Sequence, residues 1–269
     1  MSAPIAADPA IRVRNLRVHY GDREVLHGLT FDVRRGDTAV IIGGSGSGKS
    51  TLLRTLVGLE QSSSGEVQIN GVDIAHASAA QLDAIRKRIG LAFQGGALIG
   101  SMSVGDNIAL PLLEHTSLDP ATIEVMVRIK LEQVGLSGFE SYRPAELSGG
   151  MKKRAAFARA IAMDPEILFF DEPSAGLDPI TAAGIDELIL NLKKAYTMSM
   201  VVVTHELASA FLIADRIMVI DRGDIVALGS ADEVRESSHP RVRQFLERTA
   251  DSTHDDEIDH LRMFTEGIR

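Results

Sequence analysis

Hydrophobic and polar residues alternate along much of the first third of the chain, which is the pattern of half-buried β-strands. Shorter runs are apolar throughout and predict strands buried on both faces. The predicted strands cover residues 11–20, 25–33, 38–42, 66–70 and 89–93. Asn70 and Gly71 follow the fourth strand and predict a tight turn. This region therefore favours an antiparallel β lobe near the N-terminus.

The pattern changes between about residues 95 and 163, where helical periodicity replaces alternation. Residues 121–134 and 150–163 predict two helices. We expect a helical insertion here. The apolar residues of 97–113 within it are expected to lie on the surface and to contact a partner.

From residue 167 onward, predicted strands and helices alternate. The strands are 167–171, 200–204 and 216–220, and the helices are 181–195 and 207–214. Such alternation is typical of a parallel sheet flanked by helices. The predicted fold class is therefore α/β, a mixed or parallel sheet core with an antiparallel lobe and a helical insertion.

Composition excludes several kinds of protein. The 269 residues include no cysteine, which excludes disulfides, thiolate metal sites and cysteine nucleophiles. Aromatic residues make up 4% and the formal net charge is −9, so a nucleic-acid-binding protein is disfavoured. No apolar run reaches the roughly 20 residues that cross a bilayer, and no secretory signal is visible. Any role at a membrane is expected on its cytoplasmic side and through a partner.

The last twenty residues, 250–269, carry six acidic and two basic residues. We expect an acidic, solvated tail following a domain that spans residues 1–249. His254 and His260 lie among these acids, and a solvated charge cluster explains them better than a metal site.

The segment GGSGSGKST, from Gly43 to Thr51, joins a predicted strand to a predicted helix and matches G-x-x-x-x-G-K-[ST]. In such a loop, backbone N–H groups converge on phosphate oxygens. Lys49 supplies positive charge to the β- and γ-phosphates, and the Ser50 hydroxyl is a candidate Mg²⁺ ligand. The predicted phosphate-binding residues are Gly43, Gly44, Ser45, Gly46, Ser47, Gly48, Lys49, Ser50 and Thr51.

Two acidic residues follow the predicted strand 167–171. Asp171 ends the strand and Glu172 comes next, which places both at the ligand-binding edge of a parallel sheet. Asp171 is a candidate Mg²⁺ ligand, and Glu172 is a candidate base for the attacking water. A pair of helix-capping acids is the alternative interpretation.

The segment from Leu147 to Pro179 decides the family that the chain resembles. Its sequence, LSGGMKKRAAFARAIAMDPEILFFDEPSAGLDP, resembles the nucleotide-binding subunit of an ABC transporter. Leu147 to Gly150 resembles the family's signature, and Ser174 to Asp178 its D-loop. Tyr20 resembles the A-loop aromatic, Gln94 the Q-loop glutamine and His205 the switch histidine.

The resemblance implies an ATPase that uses ATP and Mg²⁺ and has two copies around two ATP molecules. Tyr20 would stack on adenine, and Gln94 would contact Mg²⁺ or water. Ser148, Gly149, Gly150 and Asp178 would complete the nucleotide site across a dimer. His205 would contact the γ-phosphate and, with Glu172, Lys49 and Gln94, form the catalytic set. The expected partners are a second copy and integral-membrane permease subunits at the bacterial inner membrane.

Two features of the signature segment depart from the commonest pattern or suggest another role. Met151 replaces the usual glutamine, and local packing is the expected role of its side chain. The basic run Lys152, Lys153 and Arg154 is interpreted as a solvated helix face rather than a nucleic-acid contact.

Further segments resemble the ATPases of Mla-type systems, which move phospholipids between bacterial membranes together with MCE-domain proteins. These segments are 93–98, 147–154, 178–181 and 240–246. The resemblance implies an MCE partner and a small accessory subunit. An ATPase of an amino-acid or other small-solute importer is the alternative. A non-transport ABC ATPase is a third possibility, although neither a coiled-coil insertion nor a second cassette is present.

Overall fold

The structure is a computed structural model, and it describes residues 8–247 and residue 249. The strands are β1 (Ile11–Tyr20), β2 (Arg23–Val33), β3 (Thr38–Ile42), β4 (Ser64–Ile69), β5 (Val72–Asp73), β6 (Ile89–Ala92), β7 (Ile167–Asp171), β8 (Ser199–Val203), β9 (Arg216–Asp221) and β10 (Asp224–Gly229). The helices are α1 (Lys49–Leu56), α2 (Ala79–Arg86), α3 (Val104–His115), α4 (Pro120–Gln133), α5 (Gly149–Ala160), α6 (Pro179–Ala195), α7 (Leu207–Ile213), α8 (Ala231–Arg235) and α9 (Pro240–Glu247).

The strands form two sheets. The smaller sheet has the order β2-β1-β4-β5 and is antiparallel. The larger has the order β10-β9-β3-β8-β7-β6; its strands are parallel except for β10, which pairs antiparallel with β9. The predicted α/β class, parallel core and antiparallel lobe are confirmed. Parallel order brings the carboxyl ends of β3, β7 and β8 to one edge of the sheet, where ligands bind in such folds.

Strand β7 separates two hydrophobic clusters. Phe170 and Leu168 pack in the cluster that also contains helices α3, α4 and α5. Phe169 and Ile167 point the other way, into the cluster shared with α1 and the small sheet. Since successive strand side chains face opposite sides, a continuous apolar run is what burial on both faces requires.

The small sheet is joined to the large one where β2 meets the β9–β10 turn. The His27 backbone N–H donates to the Gly223 carbonyl at 3.0 Å, and His27 Nδ1 lies 3.0 Å from Asp224 Oδ2. This bond to Asp224 raises the pKa of His27 above its ordinary value. The Asn70-Gly71 turn is confirmed, since both residues have positive φ (50° and 81°) and connect β4 to β5.

The segment 97–113, predicted as a surface stretch, leads into α3, which begins at Val104 and buries one face. Val104, Ile108 and Leu112 of α3 face the core, while Ile99 and Leu113 remain exposed. The expectation of an apolar surface is therefore wrong for half of the segment, because one face of an amphipathic helix must be buried. Among the described residues, no helix is both long and apolar enough to span a membrane. The acidic tail, with His254 and His260, lies outside the described residues.

Candidate functional site

The predicted phosphate loop connects β3 to α1. Gly48 precedes the helix in the left-handed conformation (φ 105°), and no side chain caps the first turn of α1. The helix therefore begins without a side-chain acceptor for its first amide groups. Together with the helix dipole, this arrangement suits an anion such as a phosphate.

Lys49 lies folded over the loop. Its Nζ donates to the carbonyl oxygens of Gly43 at 2.9 Å and Gly44 at 2.8 Å. Burial lowers the pKa of Lys49, while the nearby carboxylates of Glu172 and Asp171 act in the opposite direction. The ammonium group is thus held between the loop and the two acids.

Gly43 allows the loop to approach β9 closely. A Cβ atom at this position would lie 2.1 Å from the Ile220 carbonyl oxygen and 2.8 Å from Ser47 Oγ. No side chain fits there without moving the backbone, so a glycine is required at the first position of the loop. The contact sets the loop directly against the end of β9.

The two acidic residues occupy the carboxyl end of β7, as predicted. Burial, and then the neighbouring Glu172, raises the pKa of Asp171. Glu172 has φ 49°, a conformation unusual for a residue with a side chain, and its N–H donates to the Val203 carbonyl at 2.8 Å. The turned backbone places its carboxylate, 12% exposed, 2.9 Å from Nδ1 of His205. Carboxylate and imidazole therefore form a pair at the sheet edge.

Lys153 contradicts the prediction of a solvated basic face. Its side chain is buried, with 7% exposed, and its Nζ donates to the carbonyl oxygens of Gln94 and, at 2.9 Å, Glu172. Arg154 also bonds backbone, donating to the Val134 carbonyl at 2.9 Å. Sequence reasoning missed the burial of Lys153, because three adjacent basic residues are typical of a solvent-exposed helix face. The helical period, which turns only some of them outward, was the available signal.

Arg159, one of the residues that sequence reasoning missed, binds the same loop as Lys153. Its guanidinium donates to the carbonyl oxygens of Gly96 at 2.9 Å and Ala97 at 2.8 Å. Helix α5 therefore holds residues 94–97 through two buried or half-buried cations. Gln94 is exposed, and the hydrogen bonds from Lys153 and Arg159 hold the backbone of its loop in place.

The signature residues form the beginning of α5. The helix starts at Gly149, one residue before the predicted start, and Ser148 is its N-cap, accepting from the Met151 N–H at 3.3 Å. Met151 is partly buried against the hydrophobic core, which confirms local packing. Gly150 contacts α6, because a Cβ there would lie 2.5 Å from Thr181 Cγ2.

Tyr20 and Asp178 lie at the ends of other elements. Tyr20, at the end of β1, is 44% exposed, and its hydroxyl donates to Glu60 at 3.0 Å. Asp178 caps α6 and accepts from the Ile180 and Thr181 N–H groups at 3.1 and 3.0 Å. Among the hydrogen bonds of the described residues, none joins Tyr20, Asp178 or Ser148 to the phosphate loop. The structure thus brings Lys49, Asp171, Glu172 and His205 together, and leaves these three at separate positions.

Two cavities border the loop. One, of about 240 Å³, is lined by residues 46–51 with Arg23 and Val25. The other, of about 410 Å³, lies on the other side of Gly43 and Gly44. Its apolar wall is formed by Leu207, Val219, Val226 and Phe245, and His205 lies at its edge. We refer to this second space as the β9 cavity.

The comparisons with known proteins agree with this geometry. Residues 26–175 match the family model described as ABC transporter. The chain is 42% identical to the intermembrane phospholipid transport system ATP-binding protein MlaF of Haemophilus influenzae, over 90% of this chain and 91% of that protein. It is 40% identical to the probable ribonucleotide transport ATP-binding protein mkl of Mycobacterium leprae, over 88% of this chain and 68% of that protein.

A solved structure gives the same result. The dimeric post-hydrolysis structure of the ATP-binding cassette MJ0796, bound to ADP and Pi, superposes with a TM-score of 0.75. The two sequences are 28% identical, with 82% of this chain and 98% of that chain covered. The chain belongs to the ABC transporter family. It is therefore an ATP-binding subunit and an ABC-type ATPase, and its fold is the P-loop cassette of that family.

Membership in the ABC transporter family explains the two-part layout of the site. The phosphate loop, the acids at the end of β7 and His205 lie at one edge of the large sheet. The signature lies at the start of α5, packed against the beginning of α6 through Gly149 and Gly150. The phosphate loop and the signature therefore lie on separate parts of the chain.

Proposed function

We propose that two copies of this chain close around two ATP molecules and that hydrolysis drives a membrane permease in phospholipid transport between bacterial membranes. One observation carries the dimer. The exposed start of the signature helix, Ser148 and Gly149, does not line either cavity beside the phosphate loop among the described residues. A second copy would bring its own signature to the open side of the loop. The dimeric MJ0796 cassette supports this arrangement.

Binding of the nucleotide is assigned to three parts of the chain. The loop 43–51 would bind the phosphates through backbone N–H groups, and Lys49 would neutralise the γ-phosphate. Tyr20, exposed at the end of β1, would stack on adenine. The partner's signature would add Ser148 and the amides of Gly149 and Gly150 at a second helix N-terminus, and Asp178 would rigidify the neighbouring turn.

Hydrolysis is assigned to the Glu172–His205 pair. Glu172 would accept the proton of the attacking water, and its backbone turn fixes the direction of the carboxylate. His205 Nδ1, 2.9 Å away, would orient that carboxylate, and the other ring nitrogen, 3.9 Å from Glu206 Oε1, would contact the γ-phosphate. Gln94 would hold the water from the opposite side.

The oxygen donors fit Mg²⁺. Asp171, the Ser50 hydroxyl and the Gln94 amide provide one carboxylate and two neutral oxygens, a set that Mg²⁺ completes with water and phosphate oxygens. Within the described part of the chain, no group of three or more histidine or acidic residues forms a metal site, and the proposed donors supply a single carboxylate. Mg²⁺ would neutralise charge on the β- and γ-phosphates.

The helical insertion, about residues 95–163, is the proposed permease-binding region of an ATPase domain that spans residues 1–249. Its exposed large hydrophobic side chains include Ile99, Leu113, Val125 and Ile129. A groove of about 620 Å³ lies between α3 and α4. Leu113 is exposed and lines this groove, so we assign the permease contact to the groove rather than to the exposed residues alone. The permease would hold the ATPase at the cytoplasmic face of the inner membrane.

The cargo is proposed from MlaF, which is named for phospholipid transport and is 42% identical to this chain over 91% of its own length. The MCE-domain protein and the small accessory subunit of Mla-type systems are proposed partners on the same basis. The mkl relative is named for ribonucleotide transport at 40% identity, so a small-solute cargo is the alternative. The ATP site does not distinguish them, because cargo does not contact it.

The dimer is tested by mixing two inactive variants. Glu172→Gln removes the proposed base, and Ser148→Arg blocks the signature. In a randomly formed mixture, half of the dimers are mixed, and each mixed dimer contains one intact composite site. ATPase activity should therefore recover to about a quarter of the unmodified rate. If base and signature served the same chain's nucleotide, the mixture would show only the average of the two residual rates.

The cargo is tested by purifying the ATPase with its permease from detergent-solubilised membranes and identifying bound proteins and lipids. Recovery of an MCE-domain protein with phospholipid is the expected result. A solute-binding protein in its place would favour the small-solute importer, and recovery with DNA or ribosomes would favour a non-transport ATPase.

A further inference from the structure

Ile180 is the most exposed large hydrophobic side chain among the described residues, at 85%. It is the second residue of α6, and its N–H donates to the Asp178 carboxylate at 3.1 Å. The cap fixes the backbone of Ile180, so the side chain projects from a rigid point. Single exposed hydrophobic residues are common, and exposure alone assigns no role.

The position of Ile180 is tied to the signature. A Cβ at Gly149 would lie 3.3 Å from Leu177 Cδ2, and a Cβ at Gly150 would lie 2.5 Å from Thr181 Cγ2. The start of α5 and residues 177–181 are therefore in direct contact. Ile180 therefore lies beside the signature, and a second copy that covers the signature would come close to Ile180.

The β9 cavity lies at the surface that the signature would meet, and its lining combines an apolar wall with polar side chains, among them Asp221, Arg241 and Gln244. Gly43 and Gly44 of the phosphate loop form part of its lining, and His205 lies at its edge. Leu207, Val219, Val226 and Phe245 supply its apolar wall. A neutral, branched aliphatic side chain matches this wall in polarity.

The wall contributed by α9 is anchored to the large sheet. Arg241 donates to both carboxylate oxygens of Asp221, from Nε at 2.9 Å and from a terminal nitrogen at 3.2 Å. Asp221 is the last residue of β9, next to Ile220, whose carbonyl oxygen abuts Gly43. The cavity is thus a fixed part of the cassette and continuous with the loop.

We propose that Ile180 of each copy inserts into the β9 cavity of the second copy when the ATP-bound dimer closes. This inference rests on the proposed dimer and deepens it. Two-fold symmetry produces two identical insertions, each next to a phosphate loop and a switch histidine. Segments 178–181 and 240–246 would then share one role. The first supplies the inserted side chain, and the second supplies part of the cavity wall.

The first test measures dimerisation of the full chain carrying Glu172→Gln, with ATP, by size-exclusion chromatography with light scattering. Adding Ile180→Ser should raise the dimer dissociation constant about tenfold for each side chain removed, or on the order of 100-fold for both. The matched control is Ile129→Ser, the same change at an exposed isoleucine on α4, which should leave the constant within about threefold. The nucleotide affinity of the Ile180→Ser monomer is measured to verify that it folds.

The second test locates the contact by disulfide cross-linking between the two copies. The chain has no cysteine, so single cysteines are specific. A chain with Ile180→Cys is mixed with a chain carrying Phe245→Cys, both in the Glu172→Gln background. A disulfide-linked dimer should form with ATP and not without it. The pair Ile129→Cys and Phe245→Cys should not cross-link.

The outcomes separate this proposal from the dimer itself. If the ATP-bound dimer forms but neither depends on Ile180 nor cross-links, the insertion is wrong and the dimer stands. If the unmodified Ile180 chain forms no dimer with ATP, both are wrong. If Phe264→Cys and Phe245→Cys join within one chain while Ile180→Ser has no effect, the C-terminal segment occupies the cavity and the proposal is overturned.

Discussion

Replacement of Lys153 by methionine removes the link between Gln94 and Glu172, the proposed catalytic base. Methionine retains most of the side-chain volume and removes the ammonium group. The carbonyl oxygens of Gln94 and Glu172 then lose a charged donor in a place where Lys153 is 7% exposed and water has little access. The effect should therefore reach both stability and catalysis.

The magnitude follows from the two bonds. A hydrogen bond to a charged group contributes about 1.5–3 kcal/mol, so two contribute about 3–6 kcal/mol before any cost of burying the ammonium. That cost is real, since burial lowers the pKa of Lys153. We expect a net loss of about 2 kcal/mol in the free energy of unfolding. For a domain of this size, the melting temperature should fall by roughly 4–8 °C.

Catalysis should change in kcat rather than KM. Lys153 holds the backbone of Glu172, whose carboxylate is the proposed base, and does not bond the phosphate loop in the structure. A misplaced base should lower kcat on the order of tenfold or more, with the KM for ATP within about twofold. Steady-state phosphate release and thermal unfolding measure both effects.

Two control variants make the result specific. Lys152→Met changes the neighbouring, half-buried lysine and should leave kcat unaffected. Lys153→Arg retains the charge and should retain more activity than Lys153→Met. If Lys153→Met kept full kcat and an unchanged melting temperature, the two carbonyl contacts would have no role in positioning Glu172.

Two further variants examine the phosphate loop and the junction between the sheets. Gly43→Ala places a Cβ 2.1 Å from the Ile220 carbonyl oxygen and should lower the free energy of unfolding, measured by urea titration, by about 2–4 kcal/mol. The control is Gly44→Ala, whose Cβ has no atom within 4 Å and which should have little effect. Equal unfolding free energies for the two variants would refute the close approach at Gly43. His27→Gln should lower the free energy of unfolding at pH values below the ordinary histidine pKa. Asp224 raises the pKa of His27 in the folded protein, so protonation of His27 stabilises the fold. The difference between the two proteins should disappear as the pH rises through this raised pKa. Urea unfolding of both proteins across that range measures it, and a difference that grows with pH would contradict the assignment.

Local patterns predicted much of the fold. The strand from Ile167 to Asp171 and the helix from Pro120 to Gln133 were expected within a residue or two, because burial on both faces and helical periodicity are both visible in the sequence. Helix α3 was missed, because its apolar residues were taken for a surface stretch. Proline at 111 also disguised its periodicity.

The site was predictable where a motif carried it. The loop 43–51 and the acids at the end of β7 follow from spacing and context. Lys153 and Arg159 did not follow, since their partners are carbonyl oxygens of a loop more than fifty residues earlier in the chain. Such long-range contacts to backbone leave no trace in side-chain type. The pairing of His205 with Glu172 likewise depends on strand order, which only the folded sheet reveals.

Strand β7 has consequences for how this protein tolerates genetic change. Phe169 and Phe170 occupy different hydrophobic clusters, so neither face of the strand is available for neutral variation. In a saturation library, these five consecutive positions should accept the fewest replacements, whereas β10, whose side chains are mostly partly exposed at the sheet edge, should accept many. The strand that carries Asp171, the proposed Mg²⁺ ligand, should therefore vary little in sequence on either face.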